Sequence, residues 1–387
     1  ILDLLQYTQT LKKLENLKRL LKSYMVSQKN KSPNLHRIFL NLAFEKAKIN
    51  LGKTKLNPSV GCILVKNNSV ISSGYTSIGG RPHAEHNALQ FKKNFKNADL
   101  YVTMEPCVHY GLTPPCTNLI KKKGIKRVFY SFNDTDKRTA NKSKKILSRK
   151  KIKVRKILQN NFKDFYQSYF LIKKNNIPYI DAKIAVSKDY FTVNKRSKWI
   201  TNYLSRNRTH LIRSEYDAII STSKSINKDN SLLNCRLDGF NNNKPDLVII
   251  DLQLKIKSSL DLFRKINKRK ILIVTSSTNN KKISYLKKRR IKIISVDSLK
   301  NKKDFINLFK ILKKYAYNRI LVESGLIFLN RLLKDKIINN LYIFKSSIRL
   351  RKNGQNNASN EFLKKFKLKN KIKVNLNGDE LYKIKIK

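Results

Sequence analysis

The chain has 387 residues, with 85 lysines and arginines against 25 aspartates and glutamates, and so carries a net charge of +60 at pH 7. That length makes about two domains. Four cysteines are too few for a disulfide framework and point to a reducing, cytoplasmic setting, while no run approaches the ~20 apolar residues of a membrane span. The basic residues are spread through both halves among many asparagines and isoleucines. This reads as a compositional bias and argues against a specific nucleic-acid partner, whose binding face would concentrate the charge.

The first 35 residues have leucines at roughly helical spacing and carry no evident chemistry. Residues 1–24 are expected to be a mis-assigned start or a loose amphipathic extension before Met25. No signal peptide is expected, because no charged start leads into an apolar stretch with a small-residue cleavage site. From His36 helix and strand patterns alternate. "HRIFLNLAFEKAKIN" reads as a helix; "SVGCILVK" and "SVISSGYT" read as two strands joined by a turn at Asn67-Asn68. Then come a helix over "AEHNALQFKKN", a strand over "DLYVTM", a helix over "CTNLIKKKG" stopped by Gly124, and a strand over "KRVFYSF". Further helices are expected around 139–149 and 162–174. Residues 36–177 thus form one α/β domain.

The second domain is expected over 178–387. Its strand candidates are "YIDAKIAVS", "YDAIIS", "PDLVIID", "KILIVTS", "IKIISV", "NRILVES" and "NLYIFKS", with helical stretches between most of them. It is again α/β. No G-x-G-x-x-G occurs, so a nucleotide cofactor would not bind by the usual dinucleotide fingerprint. The Gln/Asn-rich tract within "KSSIRLRKNGQNNASN" is expected to be a mobile loop.

The chemistry gathers around "PCVHYGLTPPC", Pro106 to Cys116. A disulfide, a metal site and chance are the alternatives for its two thiols. The neighbours favour metal. His83 and Glu85 form an H-x-E at the start of a helix, and Cys107 follows a strand. One imidazole, two thiolates and a water make a four-coordinate zinc site with an open position. Such a site provides hydroxide at neutral pH, and Glu85 can carry its proton to a leaving amine, the logic of zinc nucleobase deaminases. The second cysteine departs from the common spacing, since eight residues intervene where two are usual.

"NPSVGCILV" (57–65), "GGRPHAEHNAL" (79–89) and "TMEPCVHYGLTPPC" (103–116) resemble the deaminase half of the bifunctional riboflavin-biosynthesis deaminase-reductase family, which has the widened T-P-P-C loop. The resemblance implies a cytidine-deaminase-like three-layer domain, with His83, Cys107 and Cys116 holding Zn2+ and Glu85 as the proton shuttle. It places Asn57 on the pyrimidine and His109 at the ribose phosphate. Two positions depart from the family. Leu112 stands where it has a lysine or arginine for the substrate phosphate, and "NDTDKRTAN" keeps Asp134 of its D-P-N-P stretch but neither proline.

The second half carries the rest of the resemblance. "AKIAVSKDYFTV" keeps Lys183, Ser187 and Asp189 of the family segment, with Tyr190 for its glycine. "SKWIT" (197–201) is a close match. "RSEYDAIISTSKSINKDNSLLNCR" keeps Arg213, Asp229, Leu233 and Arg236, with Ser225, Asn230 and Ser231 exchanged. "ILVESGLIFLNRLL" keeps Glu323 and Gly325, with Ser324 for the first glycine. On the residues alone, a strand that turns into a helix at Glu323-Ser324-Gly325 offers backbone N–H groups to an anion. Arg213 and Arg236 suit a phosphorylated substrate.

By resemblance this half is a dihydrofolate-reductase-like α/β domain that transfers hydride from NADPH to the ribose. Lys183, Ser197, Arg213, Leu233, Arg236 and Glu323 would lie on the substrate side. Trp199, Ser225, Asp229, Ser324 and Gly325 would lie on the NADPH side. The expected partner is a small phosphorylated pyrimidine, without membrane or specific nucleic acid, in a homo-oligomer. Two other readings are a deaminase with a decayed or retuned reductase half and an RNA binder on a deaminase fold. The exchanged residues motivate the first and the charge the second.

Overall fold

The computed structural model of the chain describes residues 35–91, 94–237, 245–264, 269–366 and 368–387. The expected extension before Leu35 lies outside these residues. Contacts divide the described chain into two units. One joins the residues up to Ile49 with Val60–Tyr75 and Pro82–Phe162; the other joins Asn50–Ser59, Thr76–Arg81 and Lys163–Lys387.

The first unit contains α1 (Leu35–Lys48), β1 (Gly61–Lys66), β2 (Ser69–Tyr75), α2 (Ala84–Leu89), β3 (Asp99–Met104), α3 (Cys116–Lys122), β4 (Arg127–Phe132), α4 (Ser143–Ser148) and β5 (Lys153–Lys156). Its sheet runs β2-β1-β3-β4-β5, antiparallel about β1 and parallel from β3 to β5. Asn67 and Asn68 both take positive φ, 50° and 58°, the mirror-type hairpin turn that asparagine tolerates. Two glycines show how helices cover both faces. Gly61 pairs with Tyr75 while its neighbour Cys62 pairs with Gly74, so the two glycines face opposite ways. A Cβ on Gly61 would fall 1.8 Å from the Ala43 carbonyl of α1, and one on Gly74 2.4 Å from the Ala84 carbonyl of α2. The three layers follow from those two close approaches. Phe39, Leu40 and Ala43 of α1 pack with Ile63, Val65, Tyr101 and Phe129 on the Gly61 face.

The second unit contains α5 (Gln167–Asn175), β6 (Tyr179–Val186), β7 (Val193–Asn194), α6 (Tyr203–Ser214), β8 (Ala218–Thr222), α7 (Ser223–Asp229), β9 (Asp246–Ile250), α8 (Asp261–Arg264), β10 (Ile271–Thr275), α9 (Asn280–Lys288), β11 (Lys292–Ser295), α10 (Lys302–Lys314), β12 (Arg319–Val322), α11 (Leu326–Lys334), β13 (Asn340–Lys345), β14 (Gly354–Gln355), α12 (Glu361–Lys365) and β15 (Glu380–Lys385). Eight strands run β11-β10-β9-β8-β12-β6-β13-β15. All neighbours are parallel except the edge pair β13 and β15. Helices cover both faces of a largely parallel sheet, so its strands are apolar on both sides. Val248, Ile250, Leu272, Val274, Ile320 and Val322 enter one core; Leu247, Ile249, Ile271, Ile273 and Leu321 enter the other.

Several expectations shift. The helix over "AEHNALQFKKN" ends at Leu89, and the one expected around 139–149 begins at Ser143. The expected mobile loop is instead tied to its surroundings. The Asn356 and Asn360 side-chain amides donate to the Tyr190 carbonyl at 3.3 and 2.7 Å, and Asn356 Oδ1 accepts from the Thr192 backbone and hydroxyl. Asp189 accepts from the N–H groups of Leu350 and Arg351. Tyr190, in place of the family's glycine, sits at φ 65° inside this clasp.

Candidate active sites

In the first unit β3 delivers Glu105-Pro106-Cys107, while α2 and α3 start at the other ligands. His83 occupies the position before the first turn of α2, and Cys116 is the first residue of α3. His83 Nδ1 lies 3.6 Å from Cys107 Sγ and 3.4 Å from Cys116 Sγ, and the three ligand atoms lie within 4.8 Å of one another. Zinc–sulfur bonds of about 2.3 Å and zinc–nitrogen bonds of about 2.0 Å at a tetrahedral angle separate N from S by about 3.5 Å. The residues fit the metal. The Cys116 N–H donates to Cys107 Sγ at 3.2 Å, and hydrogen bonding from Cys116 and His83 pulls the Cys107 thiol well below its ordinary pKa against the effect of burial. The eight intervening residues make an excursion that leaves Tyr110 and Leu112 exposed, then Pro114-Pro115 bring the chain back to Cys116.

Glu85, in the first turn of α2, is 4% exposed. Burial, reinforced by the charge of Cys107, raises its pKa to about 7. A carboxyl of that kind can both take and give a proton near neutrality. Leu112 is 88% exposed, so its side chain offers nothing to an anion.

Two residues that sequence reading passed over shape the rim. Glu105 is buried, and its Oε2 accepts from the N–H groups of Asn141 at 3.0 Å and Asp134 at 3.4 Å, its Oε1 from that of Ser143 at 3.1 Å. The divergent "NDTDKRTAN" segment is thereby wrapped around one carboxylate. Thr139 within it is buried, and its hydroxyl lies 2.9 Å from His109 Nδ1. Asn57 folds with the second unit, where its side-chain amide donates to the Gly80 carbonyl at 3.0 Å.

In the second unit β6, α6 and the end of β12 bring Lys183, Arg213 and Glu323 together. The Arg213 fork closes on Glu323, Nε to Oε1 at 2.6 Å and Nη2 to Oε2 at 3.0 Å. Lys183 Nζ stands 3.8 Å from the same carboxylate. Burial pushes Glu323 up, but Arg213 and Lys183 outweigh it and hold the carboxyl below its ordinary value. Burial lowers the pKa of Lys183. Arg213 Nη1 also donates to the Asn234 carbonyl at 3.0 Å, and Arg236, which is exposed, donates to Asn234 Oδ1 at 2.7 Å. His210 Nδ1 lies 2.9 Å from the Asn234 carbonyl. Its pKa falls to about 4 through burial and the charges of Arg213 and Arg236.

On the expected cofactor side, Ser225 and Gly325 meet: the Gly325 N–H at the start of α11 donates to Ser225 Oγ at 3.3 Å. Ser324 is half-buried beside it. Asp229 has its pKa raised by burial, opposed by Lys228 and Lys198. Ser197 and Trp199 are exposed and their contacts are local, the Trp199 N–H donating to Ser197 Oγ at 3.2 Å and the Arg206 guanidinium lying 4.6 Å from the indole centroid. Leu233 is buried with φ 48°.

The profile of the cytidine and deoxycytidylate deaminase zinc-binding region matches residues 33–132, and that of the RibD C-terminal domain matches residues 178–372. The chain is 34% identical over 323 residues to the riboflavin biosynthesis protein RibD of Buchnera aphidicola, covering 79% of this chain and 85% of that one. It is 31% identical to the RibD of Aquifex aeolicus, with the same coverage. Among solved structures, RibD of Acinetobacter baumannii superposes with a TM-score of 0.77 at 25% identity, covering 91% of this chain and 99% of the other. A deaminase/reductase of Thermotoga maritima, named for diaminohydroxyphosphoribosylaminopyrimidine and 5-amino-6-(5-phosphoribosylamino)uracil, gives 0.76 at the same identity and coverage. Among the described residues no helix is long and apolar enough to cross a membrane. Because both profiles match in the order of the two sites, and the likeness to RibD proteins runs along most of both chains, the chain belongs to the RibD riboflavin-biosynthesis family, as a bifunctional enzyme with a zinc-dependent pyrimidine deaminase half and an NADPH-using reductase half.

Proposed function

We propose that the enzyme first deaminates 2,5-diamino-6-(5-phospho-ribosylamino)pyrimidin-4-one and then reduces the ribosyl group of the resulting uracil to ribityl. The observation that carries this reading is the cluster of His83, Cys107 and Cys116 with a buried carboxyl, Glu85, two residues from the imidazole. His83 Nδ1 and the two thiolates hold zinc, which when bound makes hydroxide available at neutral pH. Glu85 takes the proton of the attacking water on a carboxylate oxygen and delivers it to the departing amine. His109, held by Thr139, faces the ribose phosphate.

In the second half NADPH supplies the hydride. Lys183, Ser197, Leu233 and Glu323 line the substrate, and Arg236, whose guanidinium reaches solvent, meets its phosphate. Arg213, closed on Glu323, fixes the carboxylate against it. Trp199, Ser225, Asp229, Ser324 and Gly325 receive the cofactor. We assign residues 36–177 to deamination and 178–387 to reduction, in a cytoplasmic homo-oligomer. Mass spectrometry of one reaction tests the order. The zinc-loaded protein should add one mass unit to the diamino substrate without NADPH, and two more with it. A gain of one unit in both tubes would leave only the deaminase, and no gain in either would reject the substrate.

A further inference from the structure

Arg269 is a basic residue whose side chain is committed to the backbone. Its guanidinium donates to the carbonyl of Leu233 at 2.7 Å, to that of Pro245 at 3.3 Å, and to that of Leu232. Burial lowers its pKa to about 10, and the charges of Arg213 and Arg236 press the same way while Asp246 opposes them. The group is cationic at neutral pH, yet its donors are spent on backbone. Two of the carbonyls meet Nη1 and the third meets Nη2, a spread over two nitrogens that the planar guanidinium spans and the single nitrogen of an ammonium does not.

What those carbonyls belong to gives the contact its meaning. Leu232 and Leu233 lie between the left-handed Asn230 that ends α7 and the Asn234 that binds both Arg213 and Arg236. Leu233 itself sits at φ 48°, a conformation that a leucine adopts only when its surroundings impose it. We propose that Arg269 is a positioning residue of the reductase site, which fixes the 232–236 turn so that Leu233 and Arg236 are presented to the phosphorylated substrate. The inference rests on the reading that these two residues lie on the substrate side. Nothing in the local sequence marks Arg269, since its partners are 24 to 37 residues away along the chain.

Steady-state kinetics of the full-length, zinc-loaded enzyme on the deaminated ribosylamino phosphate test it, with Arg269→Gln and Arg269→Lys. Arg269→Gln should raise KM for that substrate about tenfold or more while kcat stays within about threefold and KM for NADPH is unchanged. Arg269→Lys should fall between, because the one nitrogen of an ammonium can stand at the place of Nη1 or of Nη2 but not at both. Deamination by the same preparations should match wild type. Loss of thermal stability with unaltered kinetic constants in the folded enzyme would make Arg269 a purely structural residue and overturn the inference. So would a fall in kcat with KM unchanged. If Arg269→Gln does not fold, the lysine variant alone decides by the same two constants. Wild-type enzyme that fails to reduce this substrate would instead remove the reading on which the inference stands, and the inference with it.

Discussion

Exchanging Glu105 for glutamine replaces one oxygen with an NH2 group and leaves the shape of the side chain intact. The carboxylate accepts three backbone N–H groups from the 134–143 segment and is 3% exposed. A glutamine can turn its oxygen toward Asn141 and Asp134, keeping two bonds without the charge, but its NH2 then meets the Ser143 N–H donor to donor. Losing a hydrogen bond to a charged acceptor costs about 1.5–3 kcal/mol, and a buried donor left unsatisfied about 1–3. Relaxation of the segment recovers part of this, so the net cost is about 3 kcal/mol, which multiplies the open population of the segment by roughly a hundred. Thr139 then releases His109, while His83, Cys107 and Cys116 keep their places. The expected outcome is full zinc content, a raised KM for deamination, and fast hydrogen exchange at the amides of Asn141 and Ser143. Urea unfolding gives the stability, metal analysis the zinc, and exchange by mass spectrometry the local effect. Slow exchange at those amides together with an unchanged urea midpoint would show that the carboxylate does not hold the segment.

Glu85→Gln should bind zinc as wild type does and lose deamination, because the amide cannot carry the proton; normal turnover in that variant would remove Glu85 from the mechanism. Cys116→Ser should lose zinc on dialysis, and full retention would reduce that thiol to a packing role. His210 makes the stability of the second unit depend on pH. Its folded-state pKa of about 4 lies below the ordinary 6.5, so the unfolded chain binds more protons between these values. Its contribution is complete above pH 6.5 and is lost as pH falls toward 4, by about 3 kcal/mol at most. His210→Gln should flatten that part of the urea-midpoint profile, and an unaltered slope would place the effect elsewhere.

The cluster of His83, Cys107 and Cys116 is legible because its residues sit where elements begin or end, where sequence patterns are sharpest. The inner strands of the large sheet were equally plain, since a strand buried on both faces is a continuous apolar run. The strands β5, "KVRK", and β15, "ELYKIK", carry little strand signal for the opposite reason. They lie at sheet edges, where lysines on short strands discourage pairing with other chains and erase the apolar signal. The Asn-rich tract looked like a loop because its order comes from hydrogen bonds to residues about 165 positions earlier, such as Asn356 to Tyr190 at a separation of 166. Glu105, Thr139 and Arg269 act through the same kind of distant contact, which no local pattern announces.

The position of β6 in its sheet has a consequence for synthesis. This strand, the first of its sheet in the sequence, lies between β12 and β13, and Asp181 on it accepts from the Asn340 backbone across 159 residues. On the ribosome it must therefore wait for its neighbours until almost the whole chain has emerged. The five strands of the first unit, by contrast, are complete once Lys156 has been made. Long-range pairing of this kind is slow and leaves strand edges exposed while it waits. A chain interrupted near its end would thus carry a finished sheet around the His83, Cys107 and Cys116 cluster and an unfinished one for reduction, so premature termination should remove the second activity before the first.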